Sequence, residues 1–170
     1  MKALFTQTSL KWLWLTVVWL AIDQLSKYWV VDTMQLHQSI EILPFFNFTY
    51  VQNPGAAFSF LADQTGWQRW FFTVIASIAS IVFIYWLAKT PKEQRCLGVA
   101  FALMLSGALG NLIDRVLFGY VIDFIDIYIG VYRWPAFNVA DSVIFVGAAL
   151  MIVDSFINSP EKANVEKNKT

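Results

Sequence analysis

LKWLWLTVVWLAIDQLSKYWVV, residues 10–31, is apolar over most of its length and yet carries Asp23 and Lys27 near its end. A hydrocarbon core of about 30 Å takes about 20 residues of helix, so the stretch is long enough to span a bilayer. A signal-peptide core has roughly 7–15 apolar residues, and no small-residue cleavage site follows here, so it reads as a retained span. Asp23 and Lys27 stand four apart, on one helix face, and can pair to lower their own insertion cost.

Three more stretches are read as spans, residues 67–88, 97–113 and 137–157. Residues 116–137 are also apolar-rich, but Asp123, Asp126 and Arg133 interrupt them, with Gly119, Gly130 and Pro135 as punctuation. An exposed Asp at the bilayer centre costs roughly 2.5–3.5 kcal/mol, so this stretch reads as an interfacial loop. The expected fold is membrane all-α with a small β element, one integral membrane domain over residues 1–160. The polar residues 161–170 are read as a disordered cytoplasmic tail. No internal repeat is visible.

Basic residues orient the four spans. Lys2 and Lys11 precede the first, Lys89, Lys92 and Arg95 fall between the second and third, and Lys162, Lys167 and Lys169 follow the fourth. All lie on one side if there are four spans, which puts both termini in the cytoplasm. Residues 32–66, the first outer loop, hold no Lys or Arg. Residues 46–52 of that loop alternate at period two and are aromatic and β-branched, so they read as a strand. Asn53-Pro54-Gly55 makes a turn, and residues 56–61 are expected to return as a second strand, giving a small sheet on the outer membrane surface. Residues 114–136 form the second outer loop.

Composition agrees with lipid: 58% of residues are hydrophobic and 14% charged, where a soluble domain carries about 25% charge. Eight Trp and fifteen Phe suit membrane interfaces. The formal net charge is zero, which gives no electrostatic footprint for nucleic acid. Cys96 and His37 are the only Cys and His, so a disulfide, a zinc site and Cys/His catalysis all lack parts. No metal or cofactor is implied. Any chemistry falls to carboxylates, hydroxyls, amides, Lys or Arg.

The polar residues converge in depth. Asp23 lies ~12 Å below the outer end of the first span, and Asp141 ~6 Å below the outer start of the fourth. Asn111, Asp114 and Arg115 stand at the outer end of the third span, and Asn53 and Asp123 in the outer loops. Ionisable groups inside a membrane are functional candidates. Each also has a plainer role: an Asp23–Lys27 pair, helix-end charges at Asp114 and Arg115, loop acids at Asp123 and Asp126, and an N-cap at Asn138 with an acidic third position at Asp141. Asp154, His37 and Cys96 are assigned none. From the residues alone, hydrolysis by paired carboxylates and proton-coupled transport fit equally, and a non-catalytic assembly factor remains a third class.

Five blocks break that tie. They are Asp23-Gln24-Leu25-Ser26-Lys27, Asn53-Pro54-Gly55-Ala56-Ala57-Phe58-Ser59, Gly107-Ala108-Leu109-Gly110-Asn111-Leu112-Ile113-Asp114-Arg115, Val121-Ile122-Asp123-Phe124 and Phe137-Asn138-Val139-Ala140-Asp141-Ser142. In this order, on four spans, the chain resembles the lipoprotein signal peptidases (signal peptidase II) from Trp12 to about Val153. Ser106 departs, standing where many members have Gly. The resemblance implies a monomeric aspartic endopeptidase of the bacterial inner membrane, with its active site toward the periplasm. Such enzymes remove signal peptides from prolipoproteins just before a diacylglyceryl-modified cysteine, and globomycin-like cyclic peptides inhibit them. The family's catalytic pair maps onto Asp123 and Asp141. Its substrate-holding positions map onto Asn53, Gly55, Asn111, Arg115 and Asn138, with Asp23, Lys27 and Asp114 in support. Membrane lipids are the other expected partner.

Paired carboxylates suit that chemistry. Two acids a few Å apart cannot both ionise cheaply, so they share a proton, and one can activate water while the other protonates a carbonyl oxygen. Gly55 and Gly66 offer flexible points in the outer loop, by which it can cover the site.

Overall fold

The computed structural model describes residues 7–55 and 66–158. Four long helices are seen there: α1 (Leu13–Thr33), α2 (Trp67–Lys89), α3 (Arg95–Leu117) and α4 (Val139–Ile157). The last three are long and apolar enough to cross a membrane. α1 has 21 residues, and Asp23, Gln24 and Lys27 lower its hydropathy. The outward faces are apolar, as lipid requires: Trp14, Val17, Leu25 and Tyr28 of α1, Trp70 and Ile81 of α2, and Phe145 and Phe156 of α4 are all exposed. The inward faces hold the polar residues.

α3 is the hub, packed on α4, α2 and α1. Small residues allow the close approach. A Cβ on Gly107 would meet the carbonyl oxygen of Ala140 and the side chain of Ile144, and one on Gly147 would meet Met104 at 2.6 Å. At one end of the bundle Leu10, Leu87, Phe101, Ala102 and Leu105 form an apolar core. At that end a 3-10 turn, Ser9–Trp12, hydrogen-bonds to the α2–α3 connection through Ser9 N–H and Thr90 O, 2.8 Å. Lys11, Lys89, Lys92 and Arg95 thus share one end.

At the other end lies a four-stranded antiparallel sheet, β1 (Ser39–Leu43), β2 (Phe46–Asn53), β3 (Val121–Ile129) and β4 (Tyr132–Arg133), in that spatial order. The alternating stretch at 46–52 is β2. The sheet is larger than the first outer loop alone anticipates: β3 and β4 come from the segment read as an irregular interfacial loop. β3 is paired along its length with β2, β4 and Phe137, so its backbone groups are satisfied. The expected return strand at 56–61 and the tail lie outside the described residues. A second core, Val30, Met34, Tyr50, Ile122 and Phe124, fixes the sheet on the end of α1.

Two irregularities aim the site. Between Phe48 and Val51 the β2–β3 register shifts, and a bulge of this kind bends a strand and re-aims its side chains. Beyond it, Val51 stands opposite Asp123. The residue before the α4 cap then joins the far side of β3: Phe137 O accepts from Ile125 N–H at 2.8 Å, and Phe137 N–H donates to Ile125 O at 3.0 Å. That pairing brings the start of α4 alongside Asp123.

Candidate active site

α4 begins with a capping box. Asn138 Oδ1 accepts the backbone N–H of Asp141 at 2.9 Å, and Asp141 Oδ2 accepts the backbone N–H of Asn138 at 3.3 Å. This satisfies two donors that a helix start otherwise leaves open. The Asn138 side chain has a second use. Its Nδ2 donates to Asp123 Oδ1 at 2.7 Å, so one amide is bonded to β3 through its nitrogen and to the Asp141 peptide through its oxygen. Asn138 is fully buried.

The remaining oxygens are held from the other elements. Asn111 on α3 donates its Nδ2 to Asp141 Oδ1 at 2.7 Å. Asn53, the last residue of β2, donates its Nδ2 to Asp123 Oδ2 at 2.9 Å, while its Oδ1 accepts Gly55 N–H at 2.9 Å. Gly55 needs to be glycine: its φ is +116°, and a Cβ would lie 2.8 Å from the Phe72 ring.

Asp123 and Asp141 line one cavity of about 520 Å³, with Gln52, Asn53 and Arg115 as further polar lining and the segment from Trp134 to Phe137 as an apolar wall. Burial, and then the charge of Asp141, push the Asp123 carboxyl up to about 7, against hydrogen bonds from Asn53 and Asn138 and the field of Lys27. The Arg115 guanidinium lies 5.3 Å from the Phe72 ring centre and donates Nη1 to Asn111 O at 3.2 Å. Its buried Nε has no partner among the described residues.

Beneath the cavity sits a buried ion cluster. Lys27 Nζ is 2.9 Å from Asp23 Oδ2, 2.9 Å from Asp114 Oδ2 and 3.1 Å from Asn111 Oδ1. Gln24 Nε2 donates to both acids, at 3.1 and 3.0 Å, and to Gly110 O at 3.2 Å. Asp23 Oδ1 accepts Ala140 N–H at 2.8 Å, and Asp114 Oδ2 accepts Ile122 N–H at 3.2 Å. The cluster therefore holds the residue just before each cavity acid. One lysine faces two carboxylates, and each carboxylate oxygen is bonded to a further donor. Those are the conditions under which buried charges are tolerated.

Among known proteins, the family model described as signal peptidase (SPase) II matches residues 15–157. The chain belongs to the signal peptidase II family. The lipoprotein signal peptidase of Alteromonas mediterranea is 58% identical over 96% of this chain and 90% of the relative. That of Psychromonas ingrahamii is 51% identical over 95% of this chain and 94% of the relative. A solved bacterial membrane enzyme, determined by the in meso method at 2.3 Å resolution, superposes with a TM-score of 0.79 at 37% identity, over 89% of this chain and 91% of that one.

In this signal peptidase II chain the named positions fall in one connected network. Asn53, Asn111, Asn138, Asp123 and Asp141 are directly hydrogen-bonded. Asp23, Lys27 and Asp114 join them through Asn111 and the backbone, Arg115 through the Asn111 carbonyl, and Gly55 through Asn53. Asp126 is elsewhere, buried on β3 against Asn47, Thr49 and Arg133. Sequence reasoning misses Gln24, although it lies inside the Asp23–Lys27 block. It also misses Gln52, whose Nε2 donates to the hydroxyls of Tyr50 and Tyr120 at the cavity edge. Of the apolar wall at 134–137, Phe137 stands in a family block and Pro135 reads as a break, but neither signals a cavity wall. Among the described residues no group of three or more His, Cys, Asp or Glu is arranged to hold a metal ion.

Proposed function

We propose that this protease removes the signal peptides of bacterial prolipoproteins, cutting before the diacylglyceryl-modified cysteine with Asp123 and Asp141 as the catalytic pair. The observation that carries the reading is the shared cavity: two carboxyls, one on β3 and one in the first turn of α4, line it and are joined through Asn138. Their pairing divides the labour. Asp141 sits in the first turn of α4, where a helix N-terminus favours negative charge. Asp123, pushed up to about 7, is still partly protonated at neutral pH. Asp141 therefore takes a proton from water, whose oxygen adds to the scissile carbonyl carbon. Asp123 donates its proton to the carbonyl oxygen. The tetrahedral intermediate collapses as the C–N bond breaks: Asp141 gives its proton to the leaving nitrogen, a hydroxyl of the intermediate returns one to Asp123 as the product carboxyl forms, and the pair is left with one proton as at the start.

The remaining residues hold substrate. Asn53 and Arg115 offer donors to an extended backbone or a lipid oxygen at the cavity wall. A signal peptide is an apolar segment within the bilayer, and a diacylglyceryl group keeps its cysteine at the lipid surface. The scissile bond is then presented at the level of the sheet end of the bundle. The basic residues at the opposite end favour cytoplasmic termini and a site toward the periplasm of the inner membrane. Membership of a peptidase family favours this reading over a transporter or an assembly factor.

The test is cleavage of a lipidated prolipoprotein by purified enzyme beside Asp123→Asn and Asp141→Asn. Each variant should insert and fold yet lose measurable turnover. Full turnover by either variant ends the two-acid mechanism.

A further inference from the structure

The first turn of α2 touches both sides of the cavity mouth without lining it. Arg69 Nε donates to Arg115 O at 2.9 Å, and its Nη2 to Val116 O at 2.8 Å. These carbonyls belong to the last turn of α3, where a helix end carries partial negative charge, and Arg115 O also accepts Gly119 N–H at 3.2 Å. The guanidinium fork spans both, a geometry that a lysine ammonium cannot reproduce. Arg69 also packs on Gly119, where the chain turns from α3 into β3: a Cβ there would lie 3.3 Å from its Nη1. Three residues on, Phe72 lies under the Arg115 guanidinium and closes against Gly55. Arg69 and Phe72 share one face of α2. One face thus braces Arg115, the turn into the strand of Asp123, and the Asn53–Gly55 turn.

We propose that Arg69 is a positioning residue for substrate binding: it fixes the last turn of α3 so that Arg115 presents its donors to the cavity, and it touches no substrate itself. The inference rests on the reading of Arg115 as a substrate-holding group. The Arg115 side chain is anchored at one point by Nη1 and by the Phe72 ring. Its backbone carbonyl is the atom Arg69 holds. Loosening that turn lets Arg115 swing and weakens binding, while Asp123 and Asp141 keep their own partners through Asn53, Asn111 and Asn138. The effect belongs in KM rather than kcat.

Steady-state cleavage of a lipidated precursor tests this with Arg69→Met, Arg69→Lys, Arg115→Met and the double Arg69→Met/Arg115→Met. Arg69→Met should raise KM about tenfold, the equivalent of about 1.4 kcal/mol, with kcat within about twofold. Arg69→Lys should restore only part, keeping the charge but not the double bond to the carbonyls. In the Arg115→Met background the Arg69 change should add little, because both act through one group. Should Arg69→Met be too unstable to purify, Arg69→Lys and Phe72→Leu carry the same expectation. A raised KM in Arg115→Met with none in any α2 variant overturns the positioning role. So does full additivity in the double variant. No change in Arg115→Met itself overturns the assignment of Arg115 beneath it, which the Asp123→Asn result leaves separate.

Discussion

Asp23 and Ala140 are 117 residues apart, and the carboxylate of the first accepts the backbone N–H of the second at 2.8 Å. Asp114 does the same for Ile122. The two acids of the ion cluster thus grip the peptide units leading into Asp141 and Asp123, and Lys27 lies between them. Position at the cavity is set by charges buried beneath it.

Lys27→Met keeps much of the stem and removes the charge, leaving Asp23 and Asp114 buried without a cation. Breaking a buried pair from one side destabilises by about 3–5 kcal/mol. Thermal unfolding in detergent should show a large loss, with activity falling in step. Unchanged stability in this variant would mean the cluster is not the foundation of the site.

Asn138 has a capping role and a bridging role, and substitutions separate them. Asn138→Ala loses both, and loss of a cap costs about 0.5–2 kcal/mol. Asn138→Asp keeps a good cap acceptor but sets a third carboxylate beside Asp123 and loses the 2.7 Å donor. It should keep the cap yet lose stability, because a fully buried carboxylate then faces Asp123 without a cation and leaves Asn111 and Ile122 without their donor, and it should be inactive at neutral pH. Activity retained in Asn138→Asp would show that the bridge to Asp123 is dispensable.

The elevated Asp123 carboxyl predicts the pH response. The fold holds this proton up to about 7, whereas the unfolded chain releases it near 3.8. Between those values the folded state binds the extra proton, so this group's contribution to stability falls as pH rises, is fully present below the lower value and is lost above the upper. Asp123→Asn should remove that slope, which denaturation at several pH values reads directly. Cleavage should also decline on the alkaline side as the proton donor is lost, through an apparent value belonging to the pair. An activity flat from pH 6 to 9 would contradict a proton held at Asp123.

The legible parts of the sequence are those with local patterns. Period-two alternation marks β2, and Asn138 three residues before Asp141 spells a cap that the structure contains. β3 is hidden because its first residues are buried on both faces, so its side chains do not alternate, and Asp123 and Asp126 make it look like a broken span. β4 has two residues, too few for any pattern. The role of Gln24 depends on contacts 86 and 90 residues away, and that of Arg69 on one 46 away. Nothing adjacent in the chain announces either. Depth in the bilayer, by contrast, can be counted along each helix at a fixed rise per residue, so the acids can be gathered at one level from the sequence alone.

Two neighbours on α3 should respond in opposite directions. A Cβ on Gly110 would lie 2.5 Å from Asp23 Oδ2 and 3.2 Å from the Ala140 Cβ. Gly110→Ala must therefore move the carboxylate that pairs with Lys27 and holds the Ala140 peptide, and both stability and turnover should fall sharply even though alanine favours a helix by about 1 kcal/mol. Ser106 is fully buried, and its hydroxyl has no partner among the described residues. A buried unsatisfied hydroxyl is unfavourable by about 1–3 kcal/mol, so Ser106→Ala should hold or raise the melting temperature and leave cleavage intact. A destabilised Ser106→Ala would place a partner on that hydroxyl, and a tolerated Gly110→Ala would mean that the Asp23 anchor can shift without disturbing Asp141.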